Sequence, residues 1–213
     1  ILNNDTTVEK DLSVQLIKAA DKYPDAGIFS PKIYFAPRFE FHKNYAKKDI
    51  GRVIWSVGGE IDWNNLYAKN RGVDEVDRSQ FDFLKEVDFT PGTCLFARSE
   101  IFRKVGLFDE RYFMYFEDVD LSIRVKKEGW KILYVPKAKL WHKVARSSGV
   151  GSGLNDYFIT RNRLLFGKEY APMRTKIALF KESIKFLLKG RKWQKSAVKD
   201  FYLSRFGKGS FQL

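Results

Sequence analysis

The sequence predicts an α/β fold whose mostly parallel sheet is followed by amphipathic helices at the carboxyl-terminal end. Three observations support this prediction. Short apolar segments alternate with segments of helical periodicity, an arrangement typical of a parallel sheet covered by helices. Hydrophobic residues make up 44% and aromatic residues 16% of the 213 residues, which is enough for a packed core and excludes a disordered chain. Beyond residue 170, apolar positions recur at helical spacing.

The first half of the chain contains most of the predicted strands. Ile1-Leu2 is typical of the end of a buried strand, which would deliver Asn3-Asn4-Asp5 to a loop. Apolar spacing then predicts a helix from Val8 to Ala20, and an apolar run predicts a strand from Ala26 to Tyr34. Further strands are predicted, in chain order, at 53–57, 86–90 and 94–97.

The second half alternates helices with one strand. A helix is predicted over 99–105 with Ser99 as its N-cap, and another from Glu117 to Glu128, which ends before a glycine. A strand follows at 131–135, and Pro136 is expected to end it. The remaining helices are predicted, in chain order, over 155–166, 173–188 and 193–206.

Charge is distributed unevenly along the chain. Arg161 to Leu213 holds 14 Lys and Arg against three acidic residues, a net charge of +11 out of +13 for the whole chain. This asymmetry predicts a basic appendage on a nearly neutral body. We therefore predict two parts, residues 1–170 as the main body and residues 171–213 as a basic amphipathic helical tail. No recognised nucleic-acid-binding motif accompanies the charge, so nucleic acid is not a predicted partner.

The tail contains a pattern typical of a helix that lies in a membrane surface. From Met173 onward, apolar residues fall on one helical face and lysines run along its flanks. Each lysine near an anionic leaflet contributes about 1 kcal/mol to binding. The alternative is an ordinary helix that packs on the main body.

The single cysteine, Cys94, lies in an apolar run and is predicted to be a buried structural thiol in a reducing compartment.

The most informative segment runs from Phe113 to Lys143. Glu117 and Asp118 lie at the start of a predicted helix, and His142 follows the next strand at a loop entrance. A carboxylate at a helix end with an imidazole one helix and one strand later is an arrangement that transfer enzymes need. The alternative is that both acids are first-turn residues favoured by the helix dipole.

Several motifs in this order resemble one known family. They are Asn3-Asn4-Asp5, Pro91-Gly92-Thr93, Val105-Gly106-Leu107-Phe108-Asp109-Glu110, Phe116-Glu117-Asp118-Val119-Asp120, Trp141-His142 and Arg161-Asn162-Arg163. Together they are similar to the carboxyl-terminal half of an inverting family-2 glycosyltransferase of the GT-A fold, and within that family to rhamnosyltransferase-like enzymes. The resemblance implies a partial GT-A, Rossmann-like catalytic portion that moves a hexose or deoxyhexose in surface polysaccharide biosynthesis.

The resemblance also implies roles for individual residues. Asp118 matches the catalytic base, and Asp120 is its rival on a different side of the helix. Glu117, Asp120 and Trp55 are assigned to acceptor binding or support. The expected donor-binding residues are Asn3, Asn4, Asp5, Gly92, Thr93 and Arg161. Asp5 and His142 are the expected ligands of Mn²⁺ or Mg²⁺.

The implied partners are a nucleotide diphosphate sugar, a glycan or polyprenyl-linked acceptor, and an anionic membrane surface. This predicts a cytoplasmic protein at the inner face of the cell membrane. The glycine- and serine-rich segment at 147–153 is either a lid over the donor or a plain linker.

A second hypothesis follows from a departure from the family pattern. The chain opens inside a motif, and the amino-terminal half that holds the nucleotide base in the family is expected to be missing. The chain would then be a non-catalytic module that binds glycan, membrane or a partner, and it would self-associate through an exposed sheet edge. A third hypothesis is a basic adaptor at the membrane surface in which the motifs are relics.

Overall fold

The computed structural model of the protein describes residues 1–40, 42–144 and 152–212. The chain divides into two compact units, and the division does not follow the predicted boundary after residue 170. The first unit comprises Ile1–Glu60, Lys69–Leu107 and Leu121–Ala145, and the second Ile61–Ala68, Phe108–Asp120 and Arg146–Leu213. The basic tail shares the second unit with the segment that contains Glu117 and Asp118, and a domain boundary after residue 170 stays a prediction.

The first unit is built on a six-stranded sheet. Its strands are β1 (Thr6–Val8), β2 (Ala26–Phe35), β3 (Ile54–Ser56), β6 (Lys85–Glu86), β7 (Phe96–Ala97) and β8 (Lys131–His142). Strands β4 (Gly59–Asp62) and β5 (Tyr67–Asn70) form a separate two-stranded hairpin. The sheet has the path β1-β8-β2-β3, with β6 paired to β8 and β7 paired to β2.

The α/β class is confirmed, and the longest strand pairing is parallel. Strands β2 and β8 run in parallel from the pair Ala26 and Lys131 to the pair Phe35 and His142. Parallel neighbours need a long connection, and helices lie in the chain between these two strands. The shorter pairings of β1, β3, β6 and β7 within the described sheet are antiparallel, which alternation of strands and helices does not reveal.

Strand β8 does not end at Pro136 as predicted. Its register against β2 shifts between Pro31 and Lys32, where Val135 and Lys139 are the successive partners. Pro136 therefore lies in a bulge, the kind of position where a strand tolerates a residue that cannot donate a hydrogen bond. The strand resumes beyond it and ends at His142, so this histidine is part of the sheet and not of a following loop.

The first unit contains the helices α1 (Leu12–Lys22) and α2 (Ser99–Val105). Helix α3 (Glu117–Lys127) begins in the second unit and continues in the first from Leu121. The predicted start of α1 at Val8 is wrong, because Val8 belongs to β1 and pairs with Leu140. The limits of α2 are as predicted, but its N-cap is Arg98, which makes no side-chain capping bond. The core of this unit joins Leu12 and Leu16 of α1 to buried side chains of β2 and β8.

The second unit is largely helical. It contains α4 (Gly153–Tyr170), α5 (Met173–Lys189) and α6 (Lys192–Tyr202), together with the segment 108–120 and the hairpin tip 61–68. A small, mostly aromatic core joins α4 and α6 to the carboxyl-terminal segment through Tyr157, Phe158, Ala197 and Phe211. Within the described ranges, no helix combines the length and hydropathy that a bilayer span requires.

Candidate functional site

In the first unit, the pairing of β1 with β8 brings Asp5 and His142 together. Thr6 is the register partner of His142, and the Lys143 amide donates to the Asp5 carbonyl at 2.9 Å. Because Asp5 immediately precedes β1, its carboxylate reaches the imidazole, and Asp5 Oδ2 lies 3.3 Å from His142 Nε2. The two predicted metal ligands, 137 residues apart in sequence, are thus neighbours in the fold.

The predicted donor-binding segments also meet in this unit. The Asn3 amide donates to the Thr93 carbonyl at 3.0 Å, so the Asn3-Asn4-Asp5 segment runs beside the turn that contains Gly92 and Thr93. Thr93 is buried, whereas Asn3 and Asn4 are exposed. The Asn3-Asn4-Asp5 segment therefore has the Gly92-Thr93 turn beside its first residue and His142 beside its last.

Two tryptophans occupy different environments in the same unit. The Trp55 ring meets the His142 ring edge to face, with 4.8 Å between centroids and an interplanar angle of 82°. Trp141 stacks on Tyr34 and donates from Nε1 to the Gly51 carbonyl, as expected of a packing residue. Trp55 was expected near the acceptor, and the structure places it directly against a predicted metal ligand.

The Asp5–His142 pair has the chemistry of an incomplete cation site. Burial lowers the pKa of His142, while the charge of Asp5 opposes that shift, so the imidazole is neutral at pH 7 and can ligate a metal. Asp5 Oδ1 and His142 Nδ1 are buried and lack a hydrogen-bond partner among the described residues. The described residues contain no cluster of three or more His, Cys, Asp or Glu suited to a metal. The pair fits a divalent ion that takes its other ligands from diphosphate and water.

In the second unit, the acidic residues at the start of α3 have distinct surroundings. Asp118 is partly buried, and its Oδ1 accepts a hydrogen bond from the Val119 amide at 2.8 Å. Asp120 is only 2% exposed and accepts from the Tyr170 hydroxyl at 2.6 Å. The carboxylate of Asp120 is therefore engaged inside the unit, whereas that of Asp118 lies at the margin of the core.

Glu117 is held in its neutral form. Burial, reinforced by the charge of Asp118, raises the pKa of Glu117 to about 8. Its Oε2 atom is buried with no hydrogen-bond partner in the described part of the chain. A carboxyl with this pKa is mostly protonated at pH 7, so only a minor fraction of Glu117 is ready to accept a proton there.

The structure places Arg161 in the interior of its unit. Its side chain is fully buried, and its guanidinium donates to the carbonyls of Gly207, Arg111 and Tyr112 at 2.7, 3.1 and 2.9 Å. These hydrogen bonds tie main-chain segments of the unit together. The assignment of Arg161 to donor binding stays a prediction.

Sequence reasoning assigned no role to Asn162 or Tyr170. Asn162 is fully buried and donates to three main-chain carbonyls of the segment before α3, and Tyr170 bonds to Asp120. The available signal was their spacing with Phe166, since residues four apart share one face of a helix. The segment predicted as a lid or linker lies mostly outside the described residues, and its Ser152 caps α4 by accepting from the Asn155 amide.

Comparison with known proteins yields one family and several relatives. A family model described as glycosyltransferase like family 2 matches residues 13–167. N-acetylglucosaminyl-diphospho-decaprenol L-rhamnosyltransferase of Mycobacterium tuberculosis is 34% identical over 139 residues, which are 63% of this chain and 43% of that protein. Rhamnosyltransferase WbbL of Escherichia coli is 42% identical over 50 residues, which are 24% of this chain and 19% of that protein.

A third relative comes from an archaeon. The low-salt glycan biosynthesis hexosyltransferase Agl10 of Haloferax volcanii is 33% identical over 49 residues, which are 23% of this chain and 16% of that protein. The chain thus spans less than half the length of the curated relatives that it matches. Because the family model covers well over half of the chain, this protein belongs to glycosyltransferase-like family 2.

Proposed function

We propose that this chain is the catalytic portion of a glycosyltransferase in surface polysaccharide biosynthesis. It would transfer a hexose or deoxyhexose, such as rhamnose, from a nucleotide diphosphate sugar to a glycan or lipid-linked glycan, with inversion. The observation that carries the proposal is the start of α3, inside the family match, where Asp120 is buried and engaged by Tyr170 while Asp118 is only partly buried. Asp118 is left as the carboxylate suited to act as base.

The names of the relatives support the substrate class. The relative from M. tuberculosis is named for the transfer of L-rhamnose to an N-acetylglucosaminyl-diphospho-decaprenol, and the one from E. coli is a rhamnosyltransferase. A polyprenyl-linked acceptor and a nucleotide-activated deoxyhexose are therefore the first substrates to test. UDP and dTDP are the first nucleotides.

In the proposed reaction, Asp118 removes the proton from an acceptor hydroxyl while the oxygen attacks the anomeric carbon. The new glycosidic bond forms as the bond from the anomeric carbon to the donor phosphate oxygen breaks. The electron pair of that bond leaves with the nucleoside diphosphate. Attack from the face opposite the leaving group inverts the anomeric configuration.

The donor would bind in the first unit. Asp5 and His142 would hold Mn²⁺ or Mg²⁺, which when bound neutralises the charge of the diphosphate leaving group. Asn3, Asn4 and the Gly92-Thr93 turn would contact the donor, because they run beside this pair. Trp55 packs on His142 and would keep the imidazole oriented.

A transfer assay tests the reaction. The full chain is incubated with labelled UDP- and dTDP-hexoses, dTDP-rhamnose included, and with a polyprenyl diphosphate N-acetylglucosamine acceptor. We expect labelled lipid with one donor, and an NMR spectrum of the product that shows inverted anomeric configuration. Retention of configuration contradicts direct displacement. If no donor supports transfer, the chain is a binding module and not a complete catalyst.

Calorimetric titration tests the donor site separately. We expect UDP or dTDP to bind more tightly with Mn²⁺ than without it. Both Asp5→Ala and His142→Ala should abolish this increase in nucleotide affinity. Asp11→Ala is a control, because it changes a nearby acidic residue that pairs with Gln15. Equal nucleotide affinity with and without Mn²⁺ refutes the metal site.

We further propose that α5 docks the protein on an anionic membrane at the inner face of the cell membrane. Helix α5 buries Thr175, Leu179 and Ser183 within its unit. The opposite face exposes five large apolar side chains, each 43–71% accessible: Met173, Ile177, Phe180, Ile184 and Leu188. Exposed apolar stripes of this size mark interaction surfaces, and the neighbouring lysines favour an anionic one.

Vesicle sedimentation tests this docking. The full chain should pellet with phosphatidylglycerol vesicles and not with neutral phosphatidylcholine vesicles, and Ile177→Ser with Phe180→Ser should abolish pelleting. The matched control is Ile17→Ser, which removes an equally exposed isoleucine from α1. If the double variant pellets like the unmodified chain, α5 is not the anchor. If the stripe instead mediates dimer formation in the absence of vesicles, it is a protein interface.

A further inference from the structure

The main chain before α3 has a conformation that its own residues disfavour. Phe113, Tyr115 and Phe116 have φ values of 65°, 64° and 72°. Such left-handed values are uncommon for residues other than glycine, and unusual for bulky aromatic side chains. Three of them within four residues, immediately before Glu117, require surroundings that impose this path on the chain.

Asn162 of α4 provides that constraint through hydrogen bonds. Its Nδ2 donates to the carbonyls of Tyr112, Met114 and Tyr115 at 2.9, 2.7 and 2.8 Å. Its Oδ1 accepts from Arg161 Nε at 3.0 Å, which fixes the orientation of the amide so that the nitrogen faces the turn. One buried side chain thus binds three carbonyls of residues 112–115, the stretch in which the left-handed conformation begins.

Other side chains on the same face of α4 extend these contacts along the segment. Phe158 stacks on Phe113 with ring centroids 5.3 Å apart, and Phe166 meets Phe116 at 5.4 Å. Tyr170 reaches Asp120 at 2.6 Å. The contacting positions of α4, including that of Asn162, are four residues apart, and they follow the segment 113–120 in the same chain direction.

We propose that Asn162 is a positioning residue, which holds the turn before α3 so that Glu117 and Asp118 are presented in one fixed place. The effect on sugar transfer rests on the proposed function, whereas the effect on the carboxyl groups does not. Asn162 itself does not touch the substrate in this proposal. It acts through the main chain of residues 112–115.

Asn162→Ala tests the proposal with two readouts that need no catalysis. Carboxyl NMR titration should show the pKa of Glu117 falling from about 8 toward its ordinary value of 4.5, because the turn opens and Glu117 gains solvent. Hydrogen exchange of the amides of residues 112–118 should accelerate. If the chain transfers sugar, kcat should fall by roughly 10²-fold while KM for the donor stays unchanged, since misplaced groups lose rate and not donor binding.

Leu179→Ala is the control for a general loss of stability. Leu179 is buried in α5 and lies against Gly167. It belongs to the same unit but takes no part in the hydrogen bonds of Asn162. This variant should lower the melting temperature and leave both the Glu117 titration and the exchange of 112–118 unchanged. If it changes them as much as Asn162→Ala does, the effect is general loosening and the proposal is wrong.

Asn162→Ser is a milder variant in case Asn162→Ala does not fold. It removes the amide nitrogen that donates to the carbonyls of Tyr112, Met114 and Tyr115 and keeps one small hydroxyl donor, so exchange of residues 112–118 should still accelerate. An unchanged Glu117 titration and unchanged exchange in Asn162→Ala, or in Asn162→Ser if the former is unfolded, overturns the proposal. Altered readouts in a chain that transfers no sugar would leave the positioning role standing and refute the proposed function alone.

Discussion

Replacing Glu117 by Gln should change how the stability of the protein depends on pH. In the folded chain the pKa of Glu117 is about 8, against an ordinary value of 4.5. The folded state therefore holds this proton more strongly than the unfolded state between those two values. Stability from this group is fully present below about pH 4.5 and is lost as the pH rises through 8.

The magnitude follows from the separation of the two pKa values. Each unit of difference corresponds to about 1.4 kcal/mol, so the unmodified chain should lose about 3 kcal/mol between pH 5 and pH 8 through this group. Glutamine has nearly the same volume and does not titrate. The free energy of unfolding of Glu117→Gln, relative to the unmodified chain, should therefore rise by about 3 kcal/mol across that range.

Urea unfolding followed by far-ultraviolet circular dichroism measures this difference, because the unit that contains Glu117 is largely helical. The control is Glu110→Gln, at an exposed position in the same segment, whose free energy of unfolding should change with pH as that of the unmodified chain does. If the free energy of unfolding of Glu117→Gln also changes with pH like that of the unmodified chain between pH 5 and pH 8, Glu117 is ionised in the folded protein. Glu117 would then compete with Asp118 as the candidate base.

Three further changes have defined consequences. Lys32→Met should destabilise the chain by about 3 kcal/mol in urea unfolding, because the fully buried Lys32 pairs with Asp77 at 2.8 Å and its loss leaves that carboxylate without its cation. An unchanged unfolding midpoint contradicts this prediction. Asp120→Asn should cost about 1 kcal/mol, since the Tyr170 hydroxyl keeps only a neutral acceptor, and should retain most of any transfer activity. Gly59→Ala should lower the free energy of unfolding by about 1–3 kcal/mol in thermal unfolding, because a Cβ would lie 2.2 Å from the Phe89 ring. An unchanged free energy would show that the ring moves aside at little cost.

Local sequence signals predicted most helices well. The limits of α2 and the start of α3 agree with prediction, because the chain shows periodic apolar residues there and a glycine directly after each helix or close to it. The extension of β8 past Pro136 was not predictable in this way. A bulge depends on the partner strand, and the register shift opposite Pro31 is a property of two strands far apart in sequence.

The candidate site was predictable where motifs lie at the ends of strands and helices. Asp5 and His142 were expected to cooperate, and the pairing of β1 with β8 places them 3.3 Å apart. The burial of Arg161 was not predictable, because a phosphate-binding arginine and a buried structural arginine look alike in sequence. Only burial and its carbonyl partners distinguish them, and the same holds for Asn162.

The central claim is that Asp118 is the base of a glycosyl transfer, and one comparison tests it most directly. Acceptor-dependent release of nucleoside diphosphate is measured for the unmodified chain, Asp118→Asn and Asp120→Asn, with the donor that the transfer assay identifies. We predict that Asp118→Asn loses on the order of 10²–10⁴ in rate with donor binding retained, while Asp120→Asn stays near the unmodified rate. Near-full turnover by Asp118→Asn, with loss in Asp120→Asn, would contradict the assignment.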